Sequence, residues 1–95
     1  MSERNQAIVV DPSDNVATAI VDLRSGDAVS TERGEITLVS DIAFGHKFAL
    51  VKIPRGAYVI KYGAPIGRAT RPIPVGDHVH VHNVEDIVDE VRRGG

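Results

Sequence analysis

The chain has no cysteine and no tryptophan, and its only aromatic residues are two tyrosines and two phenylalanines. The absence of cysteine excludes disulfide bonds and thiolate metal sites, so a metal would need nitrogen and oxygen ligands. So few aromatic side chains cannot form a platform that stacks single-stranded nucleic acid. A net charge of −2 also argues against binding to a nucleic-acid backbone. We therefore expect no nucleic-acid partner.

Long apolar runs are missing as well. No segment approaches the roughly 20 apolar residues that span a bilayer. The N-terminal residues MSERNQ lack the apolar region of a signal peptide. We expect a cytoplasmic protein without a membrane partner. The 95 residues, of which 42% are hydrophobic and 25% charged, suffice for a single domain, residues 1–95, with a modest core.

A short motif recurs four times: an aliphatic residue, two variable residues, a glycine, and an apolar residue three positions later. Glycine suits a turn position that needs positive φ, and proline in the last two copies presets the entry to the turn. Strand-like runs rich in Val, Ile, Ala and Thr lie between the copies, whose spacing is irregular. We therefore predict one all-β unit of short strands, a small barrel or a folded-over sheet. The copies begin at Leu23, Ile42, Ile53 and Ile73, and their glycines are Gly26, Gly45, Gly56 and Gly76.

The end of the chain has a different period. Apolar residues recur at helical spacing, at Val84, Ile87, Val88 and Val91. Asn83 can cap the first turn of such a helix, and Gly94 suits its end. We therefore predict a short C-terminal helix over residues 84–92. Its apolar stripe either packs on the domain's own sheet or docks on a partner, and the sequence leaves both alternatives open.

Three of the four histidines alternate with valine in His78-Val79-His80-Val81-His82. Alternate residues of a β-strand face the same side, so a strand here would place three imidazoles on one face. Metal binding, proton transfer and anion binding suit imidazole; plain exposure to solvent is the alternative. On a flat strand the Cα atoms of His78 and His82 would lie about 13 Å apart. We therefore expect two of the three as ligands of one ion, with further ligands supplied from elsewhere.

Two lysines and the fourth histidine add to this set. His46 and Lys47 follow the glycine of the second motif, and Asp77 and His78 follow the glycine of the fourth. If the turns are structurally alike, these polar side chains occupy equivalent positions and lie at corresponding corners of the fold. Lys61 lies on a predicted strand, where a lysine is normally a solvated edge residue. Lysine and imidazolium can hold a carboxylate. A metal bound to histidine can chelate an α-hydroxy acid and acidify its Cα–H for abstraction by a nearby base. An acidic substrate is therefore indicated.

Three segments together resemble the N-terminal domain of the altronate/galactarate dehydratase family, which is also the small subunit of sulfolactate sulfo-lyase. They are GHKFAL (45–50), VIKYGAPIG (59–67) and GDHVHVHN (76–83). The segment Asp14-Asn15-Val16-Ala17 matches the family's first strand, so the resemblance extends over residues 14–83. It implies a SAF-type β-clip, a long folded-over sheet of short strands.

The resemblance also implies a reaction: β-elimination from a hydroxy-acid carboxylate, with loss of water from a sugar acid or of sulfite from sulfolactate. It implies a divalent metal, which we expect to be Fe²⁺, with Mn²⁺ as the alternative, shared with a large subunit. We expect His80 and His82 to hold this metal. The other residues carried over by position are His46, Lys47, Lys61 and His78 as catalytic candidates, and Lys47, Lys61, Tyr62 and Asn83 as substrate contacts.

The full dehydratases of this family continue into a much larger region. We therefore predict the small subunit or N-terminal domain of a hydroxy-acid lyase that works with a large catalytic subunit on a sugar acid and has little activity alone. Alternatives are the small subunit of sulfolactate sulfo-lyase, a stand-alone SAF module that binds a sugar acid or anion without catalysis, and a purely structural domain. Exposed sheet edges and the C-terminal stripe also allow a homo-oligomer.

Overall fold

A computed structural model describes residues 6–87, and over that range the chain forms nine short β-strands and no helix. No helix capable of crossing a membrane occurs in this part of the chain. The all-β prediction is confirmed, and short strands in small sheets are consistent with a SAF β-clip. The strands are β1 (Ala7–Ile8), β2 (Val16–Ala19), β3 (Ala28–Thr31), β4 (Gly34–Thr37), β5 (Lys47–Ala49), β6 (Tyr58–Lys61), β7 (Ala64–Ala69), β8 (His78–Val79) and β9 (Val84–Glu85).

The strands form three antiparallel sheets. The first sheet has the order β1-β2-β5-β8, and its register places Phe48 opposite both Ala17 and His78. The second is the β3–β4 hairpin, and the third has the order β6-β7-β9. Because the first sheet takes strands from widely separated parts of the chain, it brings residues 47–49 beside residues 78–79.

The four predicted glycine turns are present, and they pair two by two. The backbone N–H and C=O groups of Leu23 bond those of Ile42 at 2.8 and 2.9 Å, and Ile53 pairs with Ile73 at 2.9 and 2.8 Å. The four turn glycines have φ between 84° and 92°. A residue with a Cβ rarely adopts this conformation, which explains the glycine in each copy. The motif therefore forms one structural device that is used in two matched pairs.

The first pair of turns has a reciprocal clamp that was not identified from the sequence. The carboxylate of Asp22 accepts the N–H of Phe44 at 2.8 Å, and that of Asp41 accepts the N–H of Ser25 at 2.9 Å. Each aspartate directly precedes the aliphatic residue of its own turn and bonds to the other turn. The second pair has a lysine and a proline at these positions, and neither side chain can accept such a bond.

Two apolar clusters form the core. The first contains the aliphatic residues of the first pair of turns together with Phe48, and the second contains those of the second pair together with Ala49 and Val79. Successive residues of a strand face opposite sides, so β5 contributes to both clusters. Burial of a side chain such as Phe48, which is fully buried, contributes roughly 1.5–3 kcal/mol. The site described below lies at the start of β5, the strand that packs against both clusters.

Two predictions for the C-terminal part are wrong. The helix predicted over residues 84–92 does not begin at Val84, because Val84–Glu85 forms β9 and pairs with β7; residues 88–92 lie outside the described residues. The helical spacing arose because Val84 packs on the second cluster and Ile87 is buried. The strand predicted over His78–His82 ends at Val79, and a turn follows.

Candidate metal and substrate site

The imidazole rings of all four histidines lie together at the end of β8. Nδ1 of His46 is 2.9 Å from Nε2 of His78. The centroid of the His80 ring lies 4.7 Å from that of His46 and 5.3 Å from that of His78, with both pairs stacked. The His82 ring lies 5.3 Å from the His78 ring, tilted by 34°. His46 therefore joins the three histidines of the sequence triplet.

The pairing of β5 with β8 explains this meeting. Phe48 lies opposite His78 in the antiparallel register. His46, two residues before Phe48, and His80, two residues after His78, therefore lie across from one another on the same face. The turn after Val79 then bends the chain. It brings the His82 ring back to His78, whereas a flat strand would leave their Cα atoms about 13 Å apart.

Asn83 closes that turn. Its side chain is buried, with Oδ1 accepting the N–H of His80 at 3.0 Å and Nδ2 donating to the carbonyl of His78 at 2.8 Å. At the other end of β8, the N–H of His78 donates to the carboxylate of Asp77 at 2.8 Å, and Ser40 Oγ donates to the same carboxylate oxygen. The backbone of the histidine segment is therefore held on both sides.

The donor set fits a divalent metal. His46, His78 and His80 each offer a ligand atom, and these atoms lie within 4.8 Å of one another. Nitrogens that bind one ion at about 2.1 Å in tetrahedral geometry are about 3.4 Å apart, so the most distant donors would have to close by about 1.4 Å for all three to bind. Imidazole is a suitable ligand for iron and zinc. Three protein ligands would leave positions open for substrate or water, as catalytic metal sites require.

The protonation state also suits metal binding. Burial lowers the pKa of His78 below its usual 6.5, and the neighbouring rings of His46, His82 and His80 lower it further. Desolvation and the charges of His46 and Lys47 lower the pKa of His80. A lowered pKa favours the neutral imidazole, which is the form that coordinates a metal.

A cavity of about 300 Å³ adjoins the histidines. His80 is a member of the three-histidine cluster and also lines the cavity. Lys47 lies in the cavity wall, half-buried beside its partner Val79. Burial lowers the pKa of Lys47 below 10.5, and the positive charge of Lys61 lowers it further. The remaining wall is mainly aliphatic, with two carboxylates: Val59, Ile66, Val81, Val84, Glu85 and Asp86 complete the lining.

Lys61 and Tyr62 lie at the turn between β6 and β7, which a buried carboxylate supports. Asp14 accepts the N–H of Gly63 at 2.8 Å and that of Asp11 at 3.1 Å. Burial alone would raise the pKa of Asp14, but the backbone N–H groups of Gly63, Asp11 and Tyr62 hold it below 3.8. Tyr62 has a φ of 56°, and Nζ of Lys61 lies 4.6 Å from the centroid of its ring.

The structure brings together most of the site residues predicted from the sequence. All four histidines and Lys47 meet, and Lys61 is close enough to affect the pKa of Lys47. Tyr62 is 62% exposed and does not line the cavity, whereas Asn83 is 2% exposed and bonds to backbone groups. The substrate contacts of Tyr62 and Asn83, and a metal bond from His82, stay predictions.

Glu85 and Asp86 are cavity residues that sequence reasoning missed. Their acidic side chains fitted the first turn of the predicted C-terminal helix, where carboxylates are favourable. In the structure, Glu85 belongs to β9 and Asp86 follows it, so both reach the cavity wall. The carboxylate of Glu85 also lies 3.9 Å from the guanidinium of Arg68. Only the pairing of β9 with β7 could have revealed this location.

Comparison with known proteins gives a consistent result. A family model of the altronate/galactarate dehydratase SAF domain matches residues 5–87. Altronate dehydratase of Escherichia coli (strain K12) is 53% identical over 78 residues, which are 82% of this chain and 16% of that protein. Altronate dehydratase of Bacillus subtilis (strain 168) is 35% identical over 85 residues, 90% of this chain and 17% of that protein. The chain thus spans about one sixth of the length of these two relatives.

A shorter relative is matched over most of its length. The alpha subunit of (2R)-sulfolactate sulfo-lyase from Chromohalobacter salexigens is 35% identical over 85 residues, which are 82% of this chain and 90% of that subunit. The same kind of domain is therefore found both inside long dehydratase chains and as a separate subunit.

Proposed function

The chain belongs to the family of altronate/galactarate dehydratase SAF domains, and we propose that it is the small domain or subunit of a hydroxy-acid lyase. In this proposal it acts with a large catalytic chain to remove water from a sugar acid by β-elimination. The observation that carries the proposal is the three-histidine cluster, because one of its members, His80, also lines a cavity that contains a half-buried lysine.

His46, His78 and His80 are the residues that would hold the metal, for which Fe²⁺ is the first candidate and Mn²⁺ the second. When bound, such an ion would polarise the carboxylate and hydroxyl oxygens of an α-hydroxy acid and so acidify its Cα–H. Three histidine ligands can suffice for a catalytic metal site, but the cavity beside them is a small part of a substrate pocket. This supports a partner chain that supplies the rest of the pocket.

Lys47 is the residue that we assign to the substrate. Its ammonium form can hold a carboxylate inside the mainly apolar cavity, where a charge interaction is stronger than in water. Because burial and Lys61 lower the pKa of Lys47, a larger fraction of neutral amine is present near pH 7 than for an ordinary lysine. In that neutral form Lys47 would instead accept the Cα proton. The two roles are alternatives, because they need different protonation states of one amine. The catalytic roles predicted for His46, Lys61 and His78 remain part of this proposal.

The cavity wall favours a sugar acid over sulfolactate. Glu85 and Asp86 can accept hydrogen bonds from the hydroxyl groups of a polyhydroxy acid. The same carboxylates would repel a sulfonate at the far end of a bound hydroxy acid. The alternative, a sulfolactate sulfo-lyase small subunit, is favoured by a different observation, the 90% coverage of the sulfo-lyase alpha subunit.

Two calorimetric titrations test the proposal. Mn²⁺ is titrated into the purified chain without oxygen, and D-altronate is then titrated into the Mn²⁺-loaded chain. We expect Mn²⁺ binding that His80→Ala weakens by about 100-fold or more, and altronate binding that Lys47→Met weakens at least about tenfold while Mn²⁺ binding is retained. Lys52→Met is the matched control, since Lys52 is exposed and outside the cavity. Absence of Mn²⁺ binding by the wild-type chain would refute a metal site on this domain.

A further inference from the structure

We infer that Asn83 is a positioning residue for the metal site, because its amide holds the backbone of both His78 and His80 at the point where β8 ends and the turn begins. The inference rests on the proposed function of the histidine cluster as a metal site. It assigns to Asn83 a task different from the substrate contact expected from the sequence. The residue acts through the ligands and does not itself touch metal or substrate.

The hydrogen bonds of Asn83 connect the two ligands that are nearest in sequence. Oδ1 accepts the N–H of His80 at 3.0 Å, and Nδ2 donates to the carbonyl of His78 at 2.8 Å. The backbone N–H of Asn83 donates to the carbonyl of His80 at 3.1 Å. One residue therefore binds the backbone on both sides of Val79, at the point where β8 gives way to the turn.

This turn decides where the His82 ring lies. In a continuing strand His80 would still lie across from His46, as the register requires, but His82 would lie beyond the start of β5, about 3.3 Å further along for each residue. In the structure the His80 ring stacks on His46 at 4.7 Å and the His82 ring returns to His78 at 5.3 Å. The change from strand to turn at residue 80 coincides with the first hydrogen bond of the Asn83 side chain.

A direct substrate contact does not suit Asn83. The side chain is 2% exposed, and both its amide oxygen and its amide nitrogen are already bonded to backbone groups. A substrate could reach the amide only if these bonds were broken, and a backbone group left unpaired in a buried position is costly. The burial and the bonding pattern are those of a residue whose side chain stabilises a turn by hydrogen bonds to the turn's own backbone.

The backbone around Asn83 has other anchors, so loss of the side chain need not unfold the domain. The N–H of Thr70 donates to the carbonyl of Asn83 at 2.9 Å, and the guanidinium of Arg71 donates to the carbonyl of His82 at 3.2 Å. Val84 pairs with Ala69 in the third sheet. These bonds hold the end of the turn to β7, whereas its beginning depends on the Asn83 side chain.

The test compares Asn83→Ala with a matched control, Thr31→Val. Thr31 is another buried polar residue that closes a turn: its hydroxyl donates to the carbonyl of Gly34 at 2.8 Å and accepts the N–H of Arg33 at 3.0 Å. It lies in the β3–β4 hairpin, a different sheet from that of the histidines. Both variants lose turn-closing hydrogen bonds, but only one loses them beside the proposed ligands.

Co²⁺ is the probe, because its visible absorption reports the coordination geometry as well as the affinity. We expect Asn83→Ala to weaken Co²⁺ binding about 10- to 100-fold, the usual effect of removing a group that orients metal ligands, and to change the visible spectrum. Thr31→Val should lower the Tm while leaving the Co²⁺ affinity within about threefold of wild type and the spectrum unchanged.

The outcomes separate this inference from the proposed function. If Asn83→Ala binds Co²⁺ with wild-type affinity and spectrum, the positioning role is wrong while the metal site stands. If the wild-type chain binds no Co²⁺, the metal site itself is wrong and the inference fails with it. Should Asn83→Ala not fold, Asn83→Asp replaces it, since its carboxylate still accepts the His80 N–H but cannot donate to the His78 carbonyl. A wild-type Co²⁺ spectrum in that variant would equally overturn the inference.

Discussion

Nδ1 of His46 lies 2.9 Å from Nε2 of His78, although 32 residues separate them in the chain. A hydrogen bond over this distance requires that one ring donates and the other accepts, so at least one of the two imidazoles must be neutral. Both residues follow a glycine turn, and the two turns belong to different pairs. The contact therefore connects the first pair of turns with the second pair at the proposed metal site.

Single alanine substitutions should separate the ligands from the neighbouring ring. We expect His46→Ala and His80→Ala to reduce Mn²⁺ affinity by about 100-fold or more, beyond the usual effect of a residue that only orients a ligand. His82→Ala should change it by less than about tenfold, because His82 is outside the group of three close donors. Calorimetric titration measures all three. Loss of binding in His82→Ala with normal binding in His46→Ala would instead support the ligand pair His80 and His82 predicted from the sequence.

Stability should fall as the histidines become protonated. In the folded chain the pKa values of His78 and His80 are below 6.5, so the unfolded chain takes up protons first as the pH falls. Their contribution is complete above about pH 6.5 and is lost as the pH falls through the lowered folded values. Urea unfolding at about pH 7.5 and about pH 5 measures the difference. His78→Asn should reduce that difference, and an unchanged difference would show that His78 does not cause it.

The buried carboxylate of Asp14 acts in a lower pH range. Its folded pKa lies below 3.8, so its contribution is present above about pH 4 and is lost as the pH falls further. Asp14→Asn should cost about 1.5–3 kcal/mol at neutral pH, since charge-assisted hydrogen bonds from Gly63 and Asp11 are weakened. It should also make unfolding less dependent on pH below about 4. Acid titration of both proteins by circular dichroism measures this, and identical acid midpoints would contradict it.

The proximity of Lys61 should be visible in the titration of Lys47. Burial and the charge of Lys61 lower the pKa of Lys47 below 10.5. Lys61→Met removes the charge but not the burial, so the pKa of Lys47 should rise and still stay below 10.5. Trace acetylation at increasing pH, followed by peptide mass spectrometry, gives the midpoint. Lys52→Met, which removes an exposed lysine, is the control, and an equal midpoint in all three proteins would exclude the charge interaction.

Two turn glycines with the same backbone conformation, one from each pair of turns, allow a test of packing. Gly45 and Gly76 have φ of 85° and 84°, but a Cβ on Gly76 would lie 2.2 Å from the carbonyl oxygen of Thr37, whereas one on Gly45 would meet nothing within 4 Å. Gly45→Ala should cost about 1–2 kcal/mol, for the backbone conformation alone. Gly76→Ala should cost about 3–5 kcal/mol, since the clash is added. Urea unfolding measures both, and equal costs would show that the backbone near Thr37 moves aside.

The all-β fold and the glycine turns were predictable because they depend on local preferences. Positive φ at Gly45 and Gly76 is a property of the residue itself, and strand alternation needs only neighbouring residues. The resemblance of the histidine and lysine segments to one enzyme family was also evident from the sequence. The histidines and Lys47 were therefore correctly singled out as belonging together, before any distance between them was known.

The tertiary structure decided what local preferences could not. Whether Val84 continues a helix or enters a sheet depends on the edge of β7, which offers backbone partners to β9. The triplet of histidines had the alternation of a strand, but the buried amide of Asn83 ends that strand at Val79. His46 reaches the other histidines only through the register of β5 with β8. The pairing of β9 with β7 and of β5 with β8 depends on hydrogen bonds between residues that are distant in sequence. The turn after Val79 depends on the side chain of Asn83, which only the folded domain buries. A residue pattern read locally does not contain these outcomes.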